Sequence, residues 1–100
     1  MKPSKKITRE NIIYHELIGL PVRVVKSTHK GYLISGIVID ETKNIIVIES
    51  NGIKKIPKSV STFEFVLPDG SAIEVEGKKI VGRPEDRTKN IYKIKSPQTF

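Results

Sequence analysis

Apolar and polar positions follow two different periods along the chain. After Thr8, Ile12, Ile13, Glu16 and Leu17 recur at helical spacing until Gly19-Leu20-Pro21 interrupts them. Thr8 suits the N-cap and Glu10 the first turn, so the pattern predicts an amphipathic helix over residues 8–18. From Val22 onward the period shortens. "VRVV" and "YLISGIVID" read as strands, the second with Gly36 inside its apolar run, where a bulge or sharp bend is expected. "IIVIES" is a continuous β-branched stretch of the kind buried on both faces, and Asn51-Gly52 after it supplies the positive φ angles of a hairpin turn. "IKKIPK", "TFEFVL" and "SAIEVEG" follow as shorter strands, the last two separated by the turn Pro68-Asp69-Gly70. Ile80-Val81 and "IYKIK" at 91–95 add a last short strand or edge pieces.

These elements predict a mainly β chain: one short N-terminal helix, five to six short strands in a small, strongly bent antiparallel barrel, and a short C-terminal helical turn. Closure of the barrel would remove exposed strand edges. With 100 residues, 37% of them hydrophobic, there is material for one core. The expected organisation is a basic flexible tail over 1–7, the barrel with its helix over 8–90, and a C-terminal strand or tail over 91–100.

Composition narrows the chemistry. There is no cysteine, and the two histidines, His15 and His29, cannot build a closed zinc site by themselves. No apolar run reaches the roughly 20 residues of a membrane span, and "MKPSKKITRENII" lacks the apolar centre of a secretory signal. A soluble, cytoplasmic protein without membrane association is expected.

Charge changes the picture more. The formal net charge is +7. Residues 1–9 hold four bases and no acid, residues 77–100 hold seven bases against two acids, and the body between holds seven against nine. An excess placed at both ends points to a polyanionic partner, because lysine and arginine displace counterions from a phosphate backbone.

Candidate catalytic groups are weak by comparison. Pro68-Asp69 followed by Glu76-Gly77-Lys78 has the outline of a metal-dependent nuclease, yet Pro-Asp-Gly is an ordinary turn and the spacing is short. Phe63 and Phe65 share one strand face, where a core stripe outweighs a base-stacking platform. In "GRPEDRTK", Pro84 suits the first helical position, Glu85 and Asp86 the first turn, and Asp86 can reach Lys89 or Asn90. Arg83 and Arg87, four apart, are read as a pair that grips either phosphate or an acidic patch of the body.

Several stretches in order give a resemblance. Glu16-Leu17-Ile18-Gly19-Leu20, "GIVIDETKN", Ile56-Pro57-Lys58, the Phe63-x-Phe65 strand leading to Leu67-x-Asp69-Gly70, and "RPEDR" together resemble the archaeal ribonuclease P protein component 1 family, over about Thr8 to Lys89. The resemblance implies an Sm-like barrel. It also implies membership in the ribonucleoprotein that removes the 5′ leader of precursor tRNA, where the RNA subunit cleaves with bound Mg2+ and a zinc-ribbon protein pairs with this subunit. No catalytic residue, metal ligand or bound cofactor is then expected in this chain.

The expected RNA contacts are Lys5, Lys6, Arg9, Arg23, Lys26, Lys54, Lys55, Lys58, Arg83, Arg87 and Lys89, with Ile12 and Ile13 facing a protein partner. Two alternatives differ in class: a stand-alone Sm-like RNA-binding module assembled as a homo-oligomeric ring, and the metal nuclease.

Overall fold

The structure, a computed structural model, describes Ile7 and residues 11–88. Six strands run β1 Pro21–Ser27, β2 Ser35–Glu41, β3 Ile45–Glu49, β4 Ile53–Pro57, β5 Ser61–Val66 and β6 Ala72–Glu76. Short 3-10 turns occupy Ile12–Tyr14, Lys30–Tyr32 and Gly77–Ile80, and one α-helix, α1, covers Pro84–Thr88. All strands join one antiparallel sheet in the order β4-β3-β2-β1-β5-β6. Asn51 at φ 57° and Gly52 at φ 123° reverse the chain between Glu49 and Ile53, as the Asn-Gly pair predicts.

Alternation within the strands builds the core. Val22 and Val24 of β1, Ile46 and Ile48 of β3, Phe63 and Phe65 of β5, and Ile73 and Val75 of β6 all turn to one side and are buried. The Phe63 and Phe65 rings stack with centroids 5.9 Å apart, so this pair is core rather than a platform for bases. Each such side chain contributes about 1.5–3 kcal/mol of transfer free energy.

The expected barrel closure is corrected to an open sheet, since β4 and β6 each pair on one side only among the described residues. The sheet nevertheless curls. A Cβ on Gly77, just after β6, would run into the backbone oxygen of Lys58, just after β4, so the two edges meet at one end without forming a ladder. Gly36 permits another close approach: a Cβ there would meet the Glu49 carbonyl oxygen. The bulge in β2 falls a few residues later, where the pairing shifts from Val38↔Ile48 to Asp40↔Val47.

That bulge reverses the side-chain parity of β2. Strict alternation from buried Val38 would send Asp40 inward; with one extra residue, Asp40 is exposed and Glu41 is buried. A carboxylate is thereby carried into the interior.

The helix expected over 8–18 is also corrected. Among the described residues of this stretch, 11–18, only Ile12–Tyr14 form a helical turn, and His15 is already extended at φ −100°, ψ 159°. Continuing the helix would require the carbonyls of Ile13 and His15 as acceptors for later N–H groups. Both accept instead from Arg87, at 2.7 and 3.0 Å. The expected C-terminal strand separates into two cases: Ile80 belongs to a 3-10 turn and is buried, while residues 91–95 lie outside the described residues.

Candidate nucleic-acid interface

The bulged end of β2 places Glu41, 5% exposed, between two buried cations, Lys58 at 0% and Arg87 at 7%. Lys58 follows Ile56 by two residues, so strand alternation continues past Pro57 and aims it inward. Its Nζ donates to Glu41 Oε2 at 2.8 Å and to the carbonyls of Thr42, Lys43, Ile80 and Gly82 at 2.7, 3.2, 2.9 and 3.1 Å. Arg87 reaches Glu41 from α1, with Nη2 2.6 Å from Oε1 and 2.5 Å from Oε2.

Two cations thus share one carboxylate, and backbone carbonyl dipoles compensate the surplus charge. Burial lowers the Lys58 pKa from the ordinary lysine value. Glu41 opposes that shift through its hydrogen bond and its charge, and Arg87 adds to it by repulsion.

The expectation that Lys58 and Arg87 contact RNA is corrected by this burial. Lys58 Nζ and the two Arg87 Nη groups donate inside the protein, joining the end of β2, the residue after β4, the segment around Gly82, the N-terminal turn and α1, and Arg87 Nε is buried without a hydrogen-bond partner. The partner role of Ile12 is corrected too, because its side chain is 1% exposed in the core; Ile13 is partly buried and packs against the same cluster.

Five other expected contacts are exposed: Arg23, Lys26, Lys54, Lys55 and Arg83. Arg23 is paired across the sheet with Glu64, Nη2 to Oε1 at 2.9 Å. Lys54 and Lys55 lie on the β4 edge, Lys26 at the end of β1, and Arg83 ahead of α1, so Arg83 and Arg87 part company, one outward and one inward. Lys5, Lys6, Arg9 and Lys89 fall outside the described residues.

Lys26 has a neighbour that the sequence offers only as part of the nuclease outline. It shares a cleft of about 360 Å³ with Lys78, and the walls between them carry serine and threonine hydroxyls from β1, β5 and the β4–β5 loop. Asp69, the first carboxylate of the nuclease outline, accepts the N–H and hydroxyl of Ser71 at 2.9 and 2.7 Å, which is the work of a turn residue. Among the described residues, no three His, Cys, Asp or Glu side chains converge as a metal site.

Residues 10–90 match the family of Ribonuclease P/MRP, subunit p29. The chain belongs to this family. It is 53% identical over 89 residues to Ribonuclease P protein component 1 of Pyrococcus horikoshii, covering 88% of this chain and 70% of that one. A relative of the same name from Staphylothermus marinus is 42% identical over 89 residues, covering 86% and 97%. The solved structure of Mth11, described as a homologue of human RNase P protein Rpp29, is similar with a TM-score of 0.55 and 45% identity over 73% of this chain and 97% of that chain. In this p29-family chain Glu41 carries no assigned role in the sequence, and Lys78 enters there only within the nuclease outline. The inward aim of Lys58 was legible from its spacing to Ile56; the placement of Glu41 was not, because the bulge decides it.

Proposed function

We propose that this chain is an RNA-binding protein subunit of ribonuclease P. In that role it stabilises the catalytic RNA that removes the 5′ leader of precursor tRNA, in the cytoplasm and alongside a zinc-ribbon protein subunit. Membership in the subunit family carries the reading, and the five exposed cations on a body held together by buried ones support it. Compacting a large RNA brings phosphates together, so a protein that binds only the compact form favours it by mass action and lowers its demand for Mg2+. The bond-breaking chemistry and its metal belong to the RNA. This chain supplies charge on a rigid frame.

The test is reconstitution of the holoenzyme with charge reversal at Arg23, Lys26, Lys54, Lys55 and Arg83. Weaker RNA binding, a flatter dependence of affinity on salt and a higher Mg2+ requirement for precursor tRNA cleavage are expected. Unchanged affinity at both low and high salt overturns the reading.

A further inference from the structure

The cleft beside Lys26 has a composition of its own. It opens where the end of β1, the loop between β4 and β5 and the turn after β6 come together, with Lys26 on one wall and Lys78 on another. The pairing of β1 with β5 shifts between Val24 and Lys26, so β1 carries a bulge at the mouth and Lys26 is delivered to solvent. Five hydroxyl side chains line the space: Ser27, Thr28, Ser59, Ser61 and Thr62. Ser27 Oγ and Ser61 Oγ lie 2.9 Å apart, so one hydroxyl proton is used between them and the other is left to donate.

Two ammonium groups and a row of hydroxyls match an oxyanion that accepts hydrogen bonds without donating them, which describes a phosphodiester. No aromatic side chain lines the cleft, so nothing there stacks on a base. Glu76 is the exception to an anion site, because a carboxylate repels phosphate and needs a donor. On a nucleic-acid backbone the donor next to each phosphate is the ribose 2′-hydroxyl, which DNA lacks.

We propose that this cleft binds the ribose–phosphate backbone of an RNA strand, with Lys26 and Lys78 on phosphates, the hydroxyls on nonbridging oxygens, and Glu76 accepting a 2′-hydroxyl. The inference rests on the RNA-binding reading above and specifies where it acts and what distinguishes RNA from DNA. Gly77 has a place in it as well. A side chain there would push against the backbone carbonyls of Lys58 and Ser61, the second of which belongs to a residue that lines the cleft.

The experiment measures binding of the full chain to a short single-stranded RNA and to its 2′-deoxy counterpart, by fluorescence anisotropy across a salt series. Lys26→Glu/Lys78→Glu removes two phosphate contacts, so the slope of log affinity against log salt flattens by about 1.4. The deficit relative to wild type then shrinks about sevenfold between roughly 50 and 200 mM salt. Glu76→Ala narrows the preference for RNA over DNA.

Two results overturn the proposal. One is an unchanged slope and affinity in Lys26→Glu/Lys78→Glu while Lys54→Glu/Lys55→Glu weakens binding, which leaves the general RNA reading intact. The other is an unchanged RNA-to-DNA ratio in Glu76→Ala. Absence of RNA binding by the wild-type chain defeats the general reading itself. All the substituted side chains are exposed, and a thermal melt of each variant confirms that the fold is kept.

Discussion

Arg87 of α1 holds both carboxylate oxygens of Glu41 on Nη2, at 2.5 and 2.6 Å, across 46 residues of sequence. With Lys58 on the same carboxylate, the arrangement is sensitive to loss of its centre. Glu41→Gln leaves two buried cations without their anion, and breaking a buried pair of this kind costs about 3–5 kcal/mol. For a domain of this size Tm should fall by at least about 12 °C. Glu64→Gln, which removes the half-buried partner of the exposed Arg23, should cost less than about 1 kcal/mol. Equal losses in the two melts would refute the assignment.

Lys58 makes a prediction about alkaline pH. Its folded pKa is below the ordinary lysine value, so in the window between the two the unfolded chain binds more protons than the folded one. Stability contributed by Lys58 therefore rises as pH climbs through that window. The free-energy difference between wild type and Lys58→Met, taken from denaturant unfolding at a series of alkaline pH values, should move in favour of wild type as pH increases. A difference moving the other way contradicts the sign.

Arg87→Lys tests geometry at constant charge. An ammonium cannot span two carboxylate oxygens and also reach the carbonyls of Ile13 and His15 in the manner of a planar guanidinium. The N-terminal turn should loosen first. Faster hydrogen exchange at Tyr14 and His15, whose N–H groups bond Asn11 and Ile12, is the expected signature, with smaller changes in the central strands. Uniform acceleration across the sheet would show that Arg87 supports the whole fold rather than this turn.

Close approach distinguishes the glycines. Gly36→Ala and Gly77→Ala set a methyl against backbone oxygens of Glu49 and Lys58, and each should cost about 1–3 kcal/mol. At Gly31 nothing lies within 4 Å of a new Cβ, so Gly31→Ala should be neutral or slightly stabilising. Unfolding midpoints of the three variants decide the matter, and a Gly77→Ala as stable as Gly31→Ala would mean that the two sheet edges do not meet there.

Much of the architecture was legible because it is local. The β-branched run at 45–49, the Asn51-Gly52 reversal, the Pro68-Asp69-Gly70 turn and the placement of Pro84 at the start of α1 each follow from side-chain sterics within a few residues. Helical spacing at 12–17 misled because the same apolar positions, Ile12 and Leu17, are buried by a tight turn and an extended segment as well as by a helix. The carbonyls that would have continued the helix are taken by an arginine more than seventy residues away.

Charge was legible in amount and not in direction. By itself the chain determined that it would be a basic, mainly β protein with its apolar residues on one side of short strands, since periodicity and composition are properties of neighbours. Only the tertiary structure decided which member of Asp40-Glu41 enters the interior, because one extra residue in β2 exchanges the two faces. Around that carboxylate Lys58 and Arg87 are buried as partners, while a separate bulge, in β1, leaves Lys26 facing solvent with Lys78 across a hydroxyl-lined cleft. A lysine's role depends on the nearest oxygen in space, which sequence order does not specify.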